Sequence, residues 1–251
     1  MRQTHMQRFK VGTLAALILG ASGCSTPPAP HSPSAIAQQL PLTFNARDKV
    51  HWETVVFPGK LRTEFRRVAH EGRDSIQAES VQSASMLRQR VRIPTEQLGL
   101  IHFEWQVDTL LENANLSDPS LGDSPVRLVL AFDGDRRQFS ARDAMLSELS
   151  RALTGEDMPY ATLMYVWSNH LPVDTVIVHP RTSRVRKIVV ESGPARLRQW
   201  VRYERDLQAD FKRAFGEAAG PLQAIGIMTD SDNTQSRTKA WYGTIGLKPA
   251  H

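Results

Sequence analysis

The 251-residue chain contains one cysteine, Cys24. A lone thiol makes no internal disulfide and no cysteine-built zinc site, so packing has to hold the fold. Long apolar runs are missing as well. The most apolar stretch, Val11–Leu19, is about half the roughly 20 residues that a spanning helix needs. No H-E-x-x-H, G-x-S-x-G, P-loop or G-x-G-x-x-G pattern occurs, which removes those routes to zinc-protease, serine-hydrolase and nucleotide chemistry. Nor is there a real excess of one charge. The formal net charge is +5, from 31 bases and 26 acids, but three of the bases (Arg2, Arg8, Lys10) precede Cys24. Without them 28 bases face 26 acids, a net of +2. The pI near 9.6 is therefore no nucleic-acid signature, and no nucleic-acid partner is expected.

What is present begins with an export pattern. Basic, acid-free residues 1–10 precede the apolar core, and Gly20-Ala21-Ser22-Gly23 leads into Cys24. This arrangement predicts a signal peptide over residues 1–23 with lipid attachment at Cys24. The alternative is an ordinary signal cut that leaves Cys24 as a free thiol. Ser25, rather than an aspartate, follows, which resembles the default for transfer to the outer membrane in Gram-negative lipoproteins. Acyl chains contribute about 0.8 kcal/mol per buried methylene, so a lipidated chain anchors to a membrane without a span. Residues 24–44, with Pro27, Pro28, Pro30 and Pro33 among Ser, Ala and His, read as a solvated tether. The predicted location is the outer membrane, with the folded part in the periplasm.

Residues 45–251 read as a single domain dominated by period-two patterns. Leu87, Val91 and Ile93 alternate with Arg88, Arg90 and Arg92. Ile101, Phe103, Trp105 and Val107 alternate with His102, Glu104, Gln106 and Asp108, and Val126, Leu128, Leu130 and Phe132 form a third set. Such alternation predicts half-buried strands. Turn signals such as Pro58-Gly59, Glu71-Gly72 and Gly193-Pro194 separate them, which points to an all-β sandwich or barrel. Two helices interrupt. Ser140 through Asp143 forms a capping-box pattern before Ala144, Leu146, Leu149 and Leu153. Asp206 caps the second, whose stripe is Leu207, Phe211 and Phe215, with Gly216 as its stop.

Several motifs occur in a telling order: Phe103-Glu104-Trp105, Gly122-Asp123, Thr162 through Trp167, Val189 through Gly193, Gln199-Trp200, Ala209-Asp210-Phe211, Ala214-Phe215-Gly216 and Ile227 through Thr234. Together they resemble a bacterial family catalogued only as domain of unknown function 3047, from about residue 45 onward. That family tends toward two adjacent aspartates after the glycine, whereas Ser124 follows Asp123 here. The pattern, with its final Trp241-Tyr242-Gly243-Thr244-Ile245 strand, is also similar to jelly-roll modules of the galactose- or carbohydrate-binding type. The expected fold is all-β with minor helices, a jelly-roll-like β-sandwich.

Three groups carry candidate chemistry. Asp230, Asp232 and Asn233 place hard oxygen ligands close together and suit Ca²⁺, although Gln235 and Trp241 stand where an EF-hand needs glycine and glutamate. A polar turn serving its own amides explains the same residues. Trp167, at a strand end beside Asn169 and His170, offers a plate for a sugar ring, or else core packing. Arg127, Arg186 and Glu191, on predicted strands, are candidates for a polar cleft, or for a solvated sheet face with weak ion pairs. No cofactor other than Ca²⁺ is indicated. The sequence therefore predicts a membrane-anchored, ligand-binding sandwich for a saccharide or envelope polymer. Its rivals are a hydrolase using carboxylates such as Glu104 and Glu191, and a non-catalytic envelope assembly protein.

Overall fold

The structure, a computed structural model, describes residues 42–45 and 52–249. The expected signal, Cys24 and the tether as far as residue 41 lie outside the described residues. The strands are β1 (Leu42–Phe44), β2 (Glu53–Val56), β3 (Glu64–His70), β4 (Arg73–Val81), β5 (Ala84–Ile93), β6 (Leu100–Val107), β7 (Arg127–Phe132), β8 (Ala161–Ser168), β9 (Val176–Val178), β10 (Val185–Ser192), β11 (Val201–Asp206), β12 (Leu222–Asp230) and β13 (Arg237–Leu247). Helix α1 (Ala141–Thr154) separates β7 from β8, and α2 (Leu207–Phe215) follows β11 directly. Leu42–Phe44 was expected in the tether. It pairs instead with Leu247 to Ile245 of β13, so the sheet begins before residue 45.

Among the described residues, two sheets form a sandwich. One has six strands in the order β11-β6-β13-β4-β3, with β1 also on β13. The other has seven, β2-β5-β12-β7-β8-β10-β9. All neighbours are antiparallel except β8 and β10, whose parallel pairing is bridged by the stretch containing β9. The alternation in sequence maps onto this layering. Leu128, Leu130 and Phe132 of β7, Leu163, Tyr165 and Trp167 of β8, and Ile225 and Ile227 of β12 face Ile101, Phe103, Trp105, Tyr242 and Ile245 across one core. Burying each such side chain contributes about 1.5–3 kcal/mol, and ring pairs such as Phe103 with Tyr165, 5.4 Å apart, add to it.

The helices dock in opposite ways. On α2, Asp206 caps Ala209 N at 3.0 Å, and Leu207 and Phe211 enter the core. On α1, Ser140 caps Asp143 N at 3.1 Å as the sequence predicts. However, its buried residues are Asp143 and Ser147, not its leucines. Asp143 accepts hydrogen bonds from Thr182 Oγ1 and from Ser183 Oγ (3.0 Å), and Ser147 Oγ accepts from Arg136 at 3.1 Å. Met145, Leu149 and Leu153 are 60%, 51% and 62% exposed. Among the described residues no helix is long and apolar enough to cross a membrane.

Candidate ligand-binding site

The outer face of the seven-stranded sheet is built by the residues that alternate with the core set. The pairing sets them in rows: Val55, Met86, Met228 and Arg127 in one, and Glu53, Arg88, Gly226, Val129, Met164 and Lys187 in the next. The β9–β10 side of this face is closed by Leu116, which packs with Val166, Ile177 and Val189. The rest lies open as a cavity of about 930 Å³. Its floor is Met86, Val129, Ala131, Met164, Ala224, Gly226 and Met228, with β2 and the Phe57–Lys60 turn on one side and the end of α1 through Pro159 on the other. Gly226 sits mid-floor for a steric reason. A Cβ there would lie 2.7 Å from Met86 Sδ and 3.1 Å from the Leu87 carbonyl oxygen.

Charge marks both ends of the cavity. At one end Arg88 spans Glu53 (2.8 Å) and Glu156 (2.8 Å), and Arg90 pairs with the same two acids. The hydrogen bond from Arg88 holds the Glu156 carboxyl below its ordinary range despite partial burial. At the other end Lys60 closes an ion pair with Asp232.

Beyond Lys60 lies a buried polar cluster. Arg127 grips Asp230 through two hydrogen bonds of 2.9 and 2.8 Å and donates a third, of 2.6 Å, to the Gly122 carbonyl. The Ser124 amide also donates to Asp230, at 3.0 Å. This fork geometry is what a planar guanidinium provides, and removal of either partner would strand a buried charge. Asp123 accepts from the backbone and hydroxyl of Thr234 through Oδ2, at 2.7 and 2.8 Å, while its buried Oδ1 has no partner among the described residues. Burial, then the neighbouring Asp230, pushes the Asp123 carboxyl up. Lys187 is 8% exposed. Burial, then Arg127, pushes its ammonium down to about 7. Nearby His179 is pushed down to about 4 by burial and then by Lys187.

Carboxylate oxygens of Asp123, Asp230 and Asp232 lie within 4.8 Å of one another, a spacing that suits a hard cation. Asn233, expected as a ligand, is exposed and outside this group, and Asp123 stands in the place assigned to it. Two of the three carboxylates are already committed, Asp230 to Arg127 and Asp232 to Lys60. A cation here competes with both.

The other expected site residues do not converge. Trp167 is 1% exposed, and its indole N–H donates to the Gly193 carbonyl at 3.0 Å, so it is a core residue and not a sugar plate. It shares the inward face with Leu163 and Tyr165. Asn169 anchors a loop by donating to the Leu111 carbonyl at 2.7 Å. Arg186 lies over the Phe215 ring at the end of the sheet, 5.4 Å from its centroid. Glu191 accepts from the Tyr203 hydroxyl at 2.9 Å. Glu104, offered as its catalytic partner, sits on the other sheet between Arg73 (2.6 Å) and Arg202 (3.3 Å). Of the expected set, Arg127, Asp230 and Asp232 come together. Asp123, Lys187 and Lys60 join them, and the methionine floor was not foreseen.

A family model described as "Protein of unknown function (DUF3047)" matches residues 50–246. No curated protein matches the sequence. Among solved structures, the chain overlaps the Spr0440 glycoside hydrolase domain, Endo-D, of Streptococcus pneumoniae R6 (10% identity, TM-score 0.33, 80% of this chain) and spans 22% of that chain. It overlaps the xyloglucanase domain of NopAA from Sinorhizobium fredii, in complex with cellobiose, at 9% identity and TM-score 0.43 (79% of this chain, 93% of that one). A third overlap is with the low-affinity xylan-binding module CBM86 of Roseburia intestinalis, at 9% identity and TM-score 0.34 (84% and 97%). Overlaps this partial carry no information about ligand or activity.

Proposed function

The chain belongs to the DUF3047 family of proteins of unknown function, and for this member we propose a ligand-binding β-sandwich of the bacterial envelope, which holds an elongate envelope molecule in the cleft over its seven-stranded sheet. The cavity of about 930 Å³ carries the reading. It has the size of a ligand pocket, with an apolar floor and polar side chains around it. Attachment to the outer membrane through a lipid on Cys24 is part of the proposal and rests on the export pattern of residues 1–24. A saccharide or other envelope polymer is the general ligand class expected from sequence. Binding is favoured over carboxylate-dependent hydrolysis because the acids at the cleft are engaged. Glu53 and Glu156 pair with arginines, Asp157 with Arg151, and Asp232 with Lys60.

The test is a binding screen of the purified protein against a glycan array, peptidoglycan fragments and envelope lipids, repeated with Met86→Glu. One class should bind and the substitution should abolish binding, with circular dichroism unchanged. A protein that binds none of the three, or binds equally well after the substitution, would sink the proposal.

A further inference from the structure

The lining of the cleft points away from a saccharide and toward a different occupant, an inference that rests on the cleft reading above. Among the described residues Phe57 is the only aromatic lining the cavity, so these residues offer no broad ring plate to a sugar. Three half-buried methionines, Met86, Met164 and Met228, meet Val129, Ala131 and Ala224 across the floor. Methionine thioethers are flexible and polarisable, and they adapt to aliphatic surface. The floor also leads outward. Leu153 lines the cavity and belongs to the exposed α1 stripe with Leu149 and Met145. That stripe extends the apolar track by about 12 Å at 1.5 Å per residue. Helix α1 is seated by Asp143 and Ser147, which leaves Met145, Leu149 and Leu153 exposed while Leu146 is half-buried. Apolar surface kept open in this way marks an interaction site.

The cations around this space are not equivalent. Arg136 lines the cavity, and its guanidinium donates to Ser147 Oγ (3.1 Å) and the Met158 carbonyl (2.7 Å). It makes no ion pair within 4 Å among the described residues, although its charge is felt by the Asp157 carboxylate, which pairs with Arg151, whereas Arg88, Arg90 and Lys60 each hold a carboxylate directly. We propose that the cleft binds an amphiphile with a single aliphatic chain and an anionic head, the chain along the methionine floor toward Leu153 and the head at Arg136.

The probes are sodium laurate, kept below its micelle concentration, and uncharged monolaurin, both followed by titration calorimetry. Laurate should bind saturably, and Met86→Glu should weaken it by about tenfold or more. Leu153→Glu, at an exposed position where folding is not at stake, should weaken it as well. Arg136→Gln should erase the preference for laurate over monolaurin, a ratio that a purely structural role for Arg136 leaves unchanged. No laurate binding, or binding that neither glutamate substitution weakens, or a laurate preference that survives Arg136→Gln, overturns the proposal. If a glycan or peptidoglycan fragment binds instead and Met86→Glu abolishes it, the cleft reading stands and only the aliphatic assignment falls.

Discussion

The two helices carry similar sequence signals and are used in opposite ways. Each has a polar cap, an apolar stripe and a glycine stop, and both stops adopt the left-handed conformation (Gly155 at φ 77°, Gly216 at φ 75°). Helix α2 sends Leu207 and Phe211 into the core, with Phe211 against Phe132 at 4.8 Å between ring centroids. Helix α1 sends Asp143 and Ser147 inward and leaves Met145, Leu149 and Leu153 in solvent. A helical period locates the apolar side of a helix but not what that side meets. The same contrast runs through the seven-stranded sheet. Its inner face is sealed by rings and aliphatics, while its outer face carries an open methionine floor beside buried Arg127, Asp230 and Lys187.

Substitutions can break this contrast or sharpen it. The largest loss is expected for Phe211→Ala, about 3–5 kcal/mol from transfer and cavity terms. At about 2–4 °C per kcal/mol for a chain of this size, thermal unfolding should show a drop of roughly 10 °C. On the opposite face, Arg127→Ala should cost a similar amount, about 3–5 kcal/mol, because Asp230 is left buried without its partner. A urea midpoint barely changed from the parent would show that the cluster contributes nothing.

Lys187→Met should act in the other direction. The ammonium ionises near 10.5 in the unfolded chain and is pushed down to about 7 in the folded one. Below about 7 both states are protonated, so the cost of the buried charge is fully present. As pH rises from about 7 toward 10.5 the unfolded state holds the extra proton, and stability recovers. The parent should gain on the order of a few kcal/mol over that window, and Lys187→Met should show no such gain while being the more stable protein at neutral pH. Parallel unfolding curves across the window would contradict this.

Asp143→Ala should cost about 1–3 kcal/mol, since the Thr182 and Ser183 hydroxyls lose their acceptor. The smallest effect belongs to Leu149→Ser, within about 0.5 kcal/mol, as for other exposed positions. A loss as large as that of Phe211→Ala would mean that the α1 stripe is packed rather than free.

Much of the fold was legible because a strand's two faces are written in its own residues. Leu128, Leu130 and Phe132 announce their inward face without knowledge of any neighbour. The same rule placed Trp167 beside Leu163 and Tyr165, and the core, not a ligand, is where it went. Arg127 and Asp230 could be picked out as polar residues on or beside strands, but not as a pair, because they are 103 residues apart. Lys187 did leave a signal, a single charge between Val185 and Val189 on one side of β10. The floor left none. Met86, Met164 and Met228 come from three strands, and only the order β5-β12-β7-β8 brings them together. Register between distant strands is fixed by the packed sheet, not by any local period.

The most direct test of the cleft as the binding site is a methyl NMR titration of methionine-labelled protein with laurate and with peptidoglycan fragments. Met86, Met164 and Met228 are predicted to shift together and saturably with the ligand that binds. Saturable binding that leaves those three methyl signals in place would contradict the assignment.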